Sequence, residues 1–349
     1  MSKPTGPGRN RSAMHRRDVL LGAAALLLLP REAAAQAADP PRGAQTGLLM
    51  SGGAVAPVPA VPSFAKGKDR ALVLGGGGEY FIAWLIGFAH GLSAAGVPYN
   101  LADIIVGTSA GAVVGCAIAA NHLGLARDDM EFFGAFPRLL SSLVPTVASN
   151  PSQVRAREIC QNTRDASIAA IQAVGRGAMA ARNPSVIDLQ LMIDVLSVDR
   201  SWPSPSLYVT TTDCYTAERL VLSPSSQVPI SHAVCASVSL PGIFGPTWIG
   251  DRLCMDGAMG STSTHADLVA GAKRALVVAL TDTQRRFTRI PNDIEQELRT
   301  LEAAGTKTLL IAADPQKVNL MSADEIEPAL RAGHDSAQRE AERIKAFWA

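Results

Sequence analysis

The pentad Gly107-Thr108-Ser109-Ala110-Gly111 has the form G-x-S-x-G. It lies between a short apolar stretch, Asp103 to Val106, that reads as a strand and a small-residue stretch, Ala110 to Leu123, that reads as a helix. A strand–turn–helix of this form turns sharply at its serine and exposes the hydroxyl at a helix N-terminus. Backbone N–H groups there favour negative charge as it develops on a reacting oxygen. Gly107 and Gly111, two residues to either side, leave room for strand and helix to approach. Ser109 is therefore a candidate nucleophile.

A nucleophilic serine needs a partner to take its proton. The histidines after the pentad are His122, His232, His265 and His334, and none stands in a setting that recommends it as a base. Asp256, in Leu253-Cys254-Met255-Asp256-Gly257-Ala258, is a carboxylate at the edge of a short apolar stretch. The small residues Gly257 and Ala258 allow its loop to come close to another backbone. Burial would raise the proton affinity of Asp256 enough for it to take the serine proton directly. Read alone, Asp-Gly is equally a hairpin turn signal. A third element, Leu72-Val73-Leu74-Gly75-Gly76-Gly77-Gly78, sets a glycine run between a strand and a helix, a backbone nest for an anion. The dinucleotide fingerprint G-x-G-x-x-G fails, because Tyr80 or Phe81 stands where the third glycine belongs, and no P-loop pattern occurs. The loop therefore fits an oxyanion hole better than a cofactor cradle.

These residues need a scaffold. Arg70–Leu74, Asp103–Val106, Leu207–Thr212, Ala275–Leu280 and Thr308–Ala312 read as short apolar strands. Helices are expected over Ile82–Ala95 and Ala110–Leu123, and a charged helix or helix pair over Ala323–Trp348. Short apolar strands alternating with helices imply a mostly parallel sheet covered on both faces. From Gly124 to Pro203 no strand is expected. Phe132, Phe133, Phe136, Leu139, Leu140, Leu143 and Val144 recur at helical spacing, with Pro137 kinking or starting a helix. This stripe reads as core packing, or else as an acyl-chain tunnel wall or a membrane-facing lid.

The first residues read differently. Arg16-Arg17 precedes an apolar run from Val19 to Leu29, ended by Pro30 and followed by an alanine-rich stretch. This is the layout of a secretory signal, and the run is too short to span a bilayer. His15-Arg16-Arg17-Asp18-Val19-Leu20 resembles a twin-arginine export signal. Residues 1–37 are expected to be a signal peptide with cleavage near Ala37, which makes the protein exported (periplasmic or extracytoplasmic). Residues 38–68 are expected to be an irregular, flexible linker, and 69–349 the folded domain. Five cysteines without CxxC spacing suit neither a disulfide scaffold nor a structural zinc site. A net charge of +1 and 5% aromatics give no nucleic-acid footprint.

Glycine loop, G-x-S-x-G and Asp-Gly-Ala, in that order, resemble the patatin-like phospholipases. Ala236 to Phe244 and the stretch from Met255 through Leu268 to the strand Ala275–Leu280 are similar to the same family. The resemblance covers about Arg70 to Asp282. It implies a three-layer α/β/α fold with a mostly parallel central sheet and a helical insertion. It also implies a Ser109–Asp256 catalytic dyad without histidine, with Gly76, Gly77, Gly78 and Ala110 giving oxyanion donors and Gly107 and Gly111 shaping the elbow. The implied activity is a carboxylic ester hydrolase acting on lipids, of phospholipase A or esterase type. No metal or organic cofactor is expected. The expected partners are a lipid or ester substrate and a membrane surface touched peripherally, with no nucleic acid. One departure stands out: the family loop runs G-G-G-x-x-G, often with arginine before the last glycine, whereas here it reads Gly76-Gly77-Gly78-Glu79-Tyr80-Phe81. A position needing positive φ would be strained with phenylalanine, which is the sequence support for the alternative, a catalytically inactive lipid- or partner-binding protein on the same fold.

Overall fold

The computed structural model describes residues 64–144, 148–163, 166–184, 190, 193–194, 201–260, 262–280, 294–315 and 318–348. The expected signal peptide and most of the expected linker lie outside them. Of the last linker residues, Ala65 is buried and the Phe64 ring lies 5.1 Å from that of Tyr208, while Lys66, Gly67 and Lys68 are exposed.

The described strands form one sheet. They are β1 (Arg70–Leu74), β2 (Ile104–Thr108), β3 (Leu207–Asp213), β4 (Arg219–Leu222), β5 (Thr247–Ile249), β6 (Arg252–Asp256), β7 (Arg274–Leu280) and β8 (Lys307–Ala313). Hydrogen bonding runs β5-β6-β3-β2-β1-β7-β8, with β4 also on β3. From β3 to β8 the path is parallel, while β4 and β6 run antiparallel to β3. The five parallel strands are those expected from apolar runs. Their residues alternate between two cores: Leu72, Leu74, Ile105 and Leu276 enter one, Ala71, Val73, Ile104 and Val277 the other. Apolar residues at every position are what a sheet buried on both faces requires. The missed strands β4, β5 and β6 are short and antiparallel, with Arg219 and Arg252 at their starts and an exposed Trp248, so no apolar run marks them.

The helices are α1 (Gly78–Ala94), α2 (Ala110–Ala119), α3 (Leu123–Ala135), α4 (Pro137–Leu143), α5 (Pro151–Asn162), α6 (Ile168–Ala180), α7 (Ile230–Ser237), α8 (Ile294–Ala303) and α9 (Ile326–Trp348). The first core contains α1, α2 and α9, and the second takes Leu301 of α8, which makes a three-layer α/β/α fold. The helix expected over Ala110–Leu123 is split because Asn121 adopts a left-handed φ of 57° between α2 and α3. Pro137 starts α4 at its first position. The phenylalanine stripe is divided: Phe136 and Leu139 are exposed, while Leu140 and Val144 are buried. The charged C-terminal segment is the single long helix α9, preceded by one 3-10 turn. It buries Ile326, Ala329, Gly333, Ala337, Ala341, Ile344 and Trp348, a helical stripe, against the first core. Its end is tied down: Trp348 Nε1 donates to the Pro98 carbonyl at 2.9 Å, and Arg70 Nε to the Trp348 carbonyl at 3.0 Å.

Helices α1 and α9 touch backbone to backbone. A Cβ on Gly333 would be driven into the Trp84 carbonyl, and one on Gly87 into the Leu330 carbonyl. Rigid backbone cannot yield there as a flexible side chain would. Gly333→Ala is expected to cost about 1–3 kcal/mol of stability, read as a lower urea midpoint at unchanged m-value. An unchanged midpoint would show that the helices separate without penalty.

Candidate active site

Ser109 closes β2 and caps α2 with φ 52° and ψ −118°. A left-handed φ is strained for serine, and it holds the side chain out of the turn. The elbow works only with small neighbours. A Cβ on Gly111 would enter the Leu74 carbonyl, and Gly111 N–H instead donates to the Gly75 carbonyl at 3.0 Å. The elbow and the glycine loop are thus bonded directly to each other.

Strand β3 sets the aspartate beside the serine. Thr210 pairs with Thr108 of β2, and the next residue, Thr211, pairs with Asp256 of β6. Ser109 follows Thr108, so the end of β2 brings the serine level with Thr211 and hence with Asp256 across β3. The rungs are locked by threonines. The Thr108 and Thr210 hydroxyls lie 2.7 Å apart, and Thr211 Oγ1 donates to the Met255 carbonyl at 2.6 Å. Ser109 Oγ donates to Asp256 Oδ2 at 2.8 Å, and Ala258 N–H donates to Asp256 Oδ1 at 2.8 Å. Both side chains are buried, at 7% and 3% exposure. Burial pushes the Asp256 carboxyl up to about 6, although the Ala258 amide, the Ser109 hydroxyl and the charge of Arg157 each favour its ionised form.

Glycine-loop and elbow residues line the same cavity. Gly76 N–H donates to the Ser263 carbonyl at 2.9 Å, so the amide of this expected donor is turned to another segment. Gly78 and Ala110 begin α1 and α2, and Gly77 caps α1. First-turn amides have no intrahelical acceptor, and two helix N-termini add their positive ends. All three residues line a cavity of about 300 Å³ with Ser109 and Asp256. Its wall is mostly apolar, including Ile82, Val113, Phe133, Leu140, Val144 and Leu240. Phe81, where the family has glycine, does not narrow this cavity. It lies inside α1 with no positive φ, fully buried and stacked on Trp84 at 5.6 Å. The chain turns at Gly78, φ 67°, and is helical by the time it reaches Phe81, so the expected strain does not arise.

Several site residues left no mark in the sequence. Ser237, at the end of α7, accepts the Ser109 N–H at 2.8 Å and so satisfies the amide at the strained turn. Its only signal was membership of the family-like segment Ala236–Phe244. Arg157 of α5 reaches the cavity from the helical insertion. Glu79 lines it too, its buried Oε2 without a partner, and burial pushes its carboxyl up to about 8. The five cysteines are free and buried. Outside the cavity, His265, Asp267 and Glu297 bring potential ligand atoms within 4.8 Å of one another. Arg219 already supplies the cation: its guanidinium forks onto both Asp267 oxygens at 2.6 and 2.7 Å and meets His265 Nδ1 at 3.0 Å. The lone pairs that His265 Nδ1 and Asp267 would give a metal are thus spent on Arg219.

A three-layer α/β/α protein with a serine–aspartate pair at the mouth of two helix N-termini is what the geometry defines. The patatin-like phospholipase family model matches residues 72–268, more than half of the chain, and the chain belongs to that family of lipid hydrolases. No curated protein matches it. Among solved structures it is similar to VipD from Legionella pneumophila, with TM-score 0.41 and 14% identity over 79% of this chain and 67% of that one. It is also similar to the type III effector protein ExoU, with TM-score 0.33 and 16% identity over 82% of this chain. The chain spans about half of ExoU's length, 54%.

Asp256 should titrate near 6 in carboxyl-carbon NMR. Arg157→Gln removes a charge that favours the carboxylate, so the midpoint should rise. A midpoint at the ordinary value near 4 would mean that water reaches the pair.

Proposed function

We propose that the protein is a serine acyl hydrolase that cleaves carboxylic esters of lipids through Ser109 and Asp256. The 2.8 Å hydrogen bond between Ser109 Oγ and Asp256 Oδ2, within an apolar cavity, is the observation that carries this reading. As Oγ attacks the ester carbonyl carbon, its proton passes to Asp256. The carbonyl π-electrons move to oxygen, and the oxyanion faces the amides of Gly77, Gly78 and Ala110. Collapse expels the leaving alkoxide, which takes the proton from Asp256. Water then attacks the acyl-serine and gives a proton to Asp256. The second collapse releases the fatty acid and restores the serine hydroxyl.

The largely apolar wall favours an acyl chain. Exposed Phe136 and Leu139 sit beside Leu140 and Val144, which line the cavity, and support peripheral contact with a lipid surface. Export through the twin-arginine-type segment belongs to the same reading, resting on residues 1–37 alone. No described helix is long and apolar enough to cross a membrane.

Hydrolysis of p-nitrophenyl esters of graded chain length tests the reading. Ser109→Ala and Asp256→Asn should each lose roughly a thousandfold or more in kcat while remaining folded. Folded wild type inert on esters and on phospholipid vesicles would leave the inactive binding protein as the better reading. The pH profile carries a sign. Asp256 works as the carboxylate, so kcat/KM should rise through about 6. Above about 8 Glu79 ionises in the cavity that must hold the oxyanion, so activity should fall. Glu79→Gln should flatten that upper limb and leave the lower one. An upper limb unchanged in Glu79→Gln would place its cause elsewhere.

A further inference from the structure

Residues 262–265 run behind both halves of the site. The Ser263 carbonyl accepts from Gly76 N–H at 2.9 Å, and Thr264 Cγ2 packs 3.0 Å from where a Cβ on Gly75 would stand. Two residues further from Ser263, His265 Nε2 lies 2.9 Å from the carbonyl oxygen of Gly257, the residue after Asp256. One short segment therefore grips the glycine loop with its backbone and the aspartate loop with a side chain.

The segment is itself anchored from outside. The Thr264 hydroxyl donates to the Glu297 carboxylate on α8. His265 Nδ1 meets Arg219 Nη1 at 3.0 Å, and Arg219 is fixed in turn by its fork onto Asp267. His265 is 1% exposed, and both ring nitrogens have protein partners, which hold the ring away from water. Its tautomer follows from its partners. A carbonyl oxygen only accepts and a guanidinium only donates, so Nε2 carries the proton and Nδ1 the lone pair. Burial and the Arg219 charge both oppose a second proton.

We propose that His265 is a positioning residue for the Ser109–Asp256 reaction, fixing the Gly257 carbonyl and through it the angle at which Asp256 meets Ser109. The proposal rests on the serine hydrolase reading above. His265 is outside the cavity lining and its Nε2 proton is committed to Gly257, so it takes no proton from the serine. Asp256 Oδ1 accepts from Ala258 N–H, and Gly257 lies between these two residues. Rotation of either flanking peptide would therefore move the carboxylate against Oγ. Gly257 has no side chain to resist this, and the two other donors to its carbonyl, Thr212 Oγ1 and the Gly260 N–H, both stand off at 3.3 Å, against 2.9 Å for His265. A small misplacement of a reacting group costs rate far more than it costs binding, because the apolar wall that holds the acyl chain is untouched.

Steady-state kinetics on a soluble p-nitrophenyl ester test this, with folding followed by circular dichroism and melting temperature. His265→Leu keeps bulk and removes both hydrogen bonds. It is expected to lower kcat by roughly tenfold or more with KM within about threefold. His265→Gln restores an N–H donor near the position of Nε2 and should recover several-fold of that loss. Asp267→Asn loosens Arg219 and should lower kcat less, again without raising KM. A folded His265→Leu with wild-type kcat, a loss confined to KM, or a His265→Gln no better than His265→Leu would overturn the proposal. If His265→Leu does not fold, Asp267→Asn decides: lower kcat at constant KM supports the proposal, and unchanged kcat overturns it. Ser109→Ala run alongside separates the two claims. If it retains activity, or if folded wild type is inert, the hydrolase reading fails and takes the positioning with it. If it is inert while folded His265→Leu equals wild type, only the positioning fails.

Discussion

A buried serine hydroxyl and a buried aspartate carboxylate held 2.8 Å apart form the contact to which the rest of this fold is fitted. In water such a pair would do nothing, since a carboxylate with an ordinary proton affinity barely competes for a hydroxyl proton. Burial changes this by raising the affinity of Asp256, while the Ala258 amide and Arg157 keep the rise moderate. The carboxylate is thus basic enough to attract a proton and still ionised near neutrality. Replacement of the usual histidine by an aspartate is possible only where the surroundings supply this balance.

Holding the pair demands a sheet. Ser109, just past β2, and Asp256, on β6, are distant in sequence and meet because β3 pairs with Thr108 and with Asp256 at neighbouring residues. The parallel order of β1, β2 and β3 then brings the glycine loop after β1 against the elbow after β2, where Gly111 and Gly75 bond directly. Strain at Ser109 and at His265 is tolerated because neighbours fix the backbone on both sides. Ser237 takes the Ser109 amide, and Gly257 and Arg219 fix the two ring nitrogens of His265.

The parallel half of the sheet was legible because both of its faces are buried, so its strands are apolar at every position. The antiparallel half was not. The strands β4, β5 and β6 are too short and too polar to carry a period, and their places are set by pairing with β3. Ser109, Asp256 and the glycines were readable as local patterns, since an elbow, a nest and a tight Asp-Gly loop need particular residues at fixed spacing. Phe81 misled, because a loop pattern was extended through residues that already form the first turn of α1. Gly76 shows the reverse limit: its type was readable, but not that its amide is turned to Ser263. His265, Ser237 and Arg157 act through tertiary contacts, and nothing near them in sequence sets them apart from packed or exposed residues of the same type.

The central claim is that Ser109 is a nucleophile made reactive by Asp256. Incubation with an alkyl fluorophosphonate, followed by intact mass and peptide mapping, tests it most directly. One adduct per chain on Ser109, formed much more slowly in folded Asp256→Asn, is the result expected. An unmodified wild-type chain, or an adduct on another residue with Ser109 free, would contradict it.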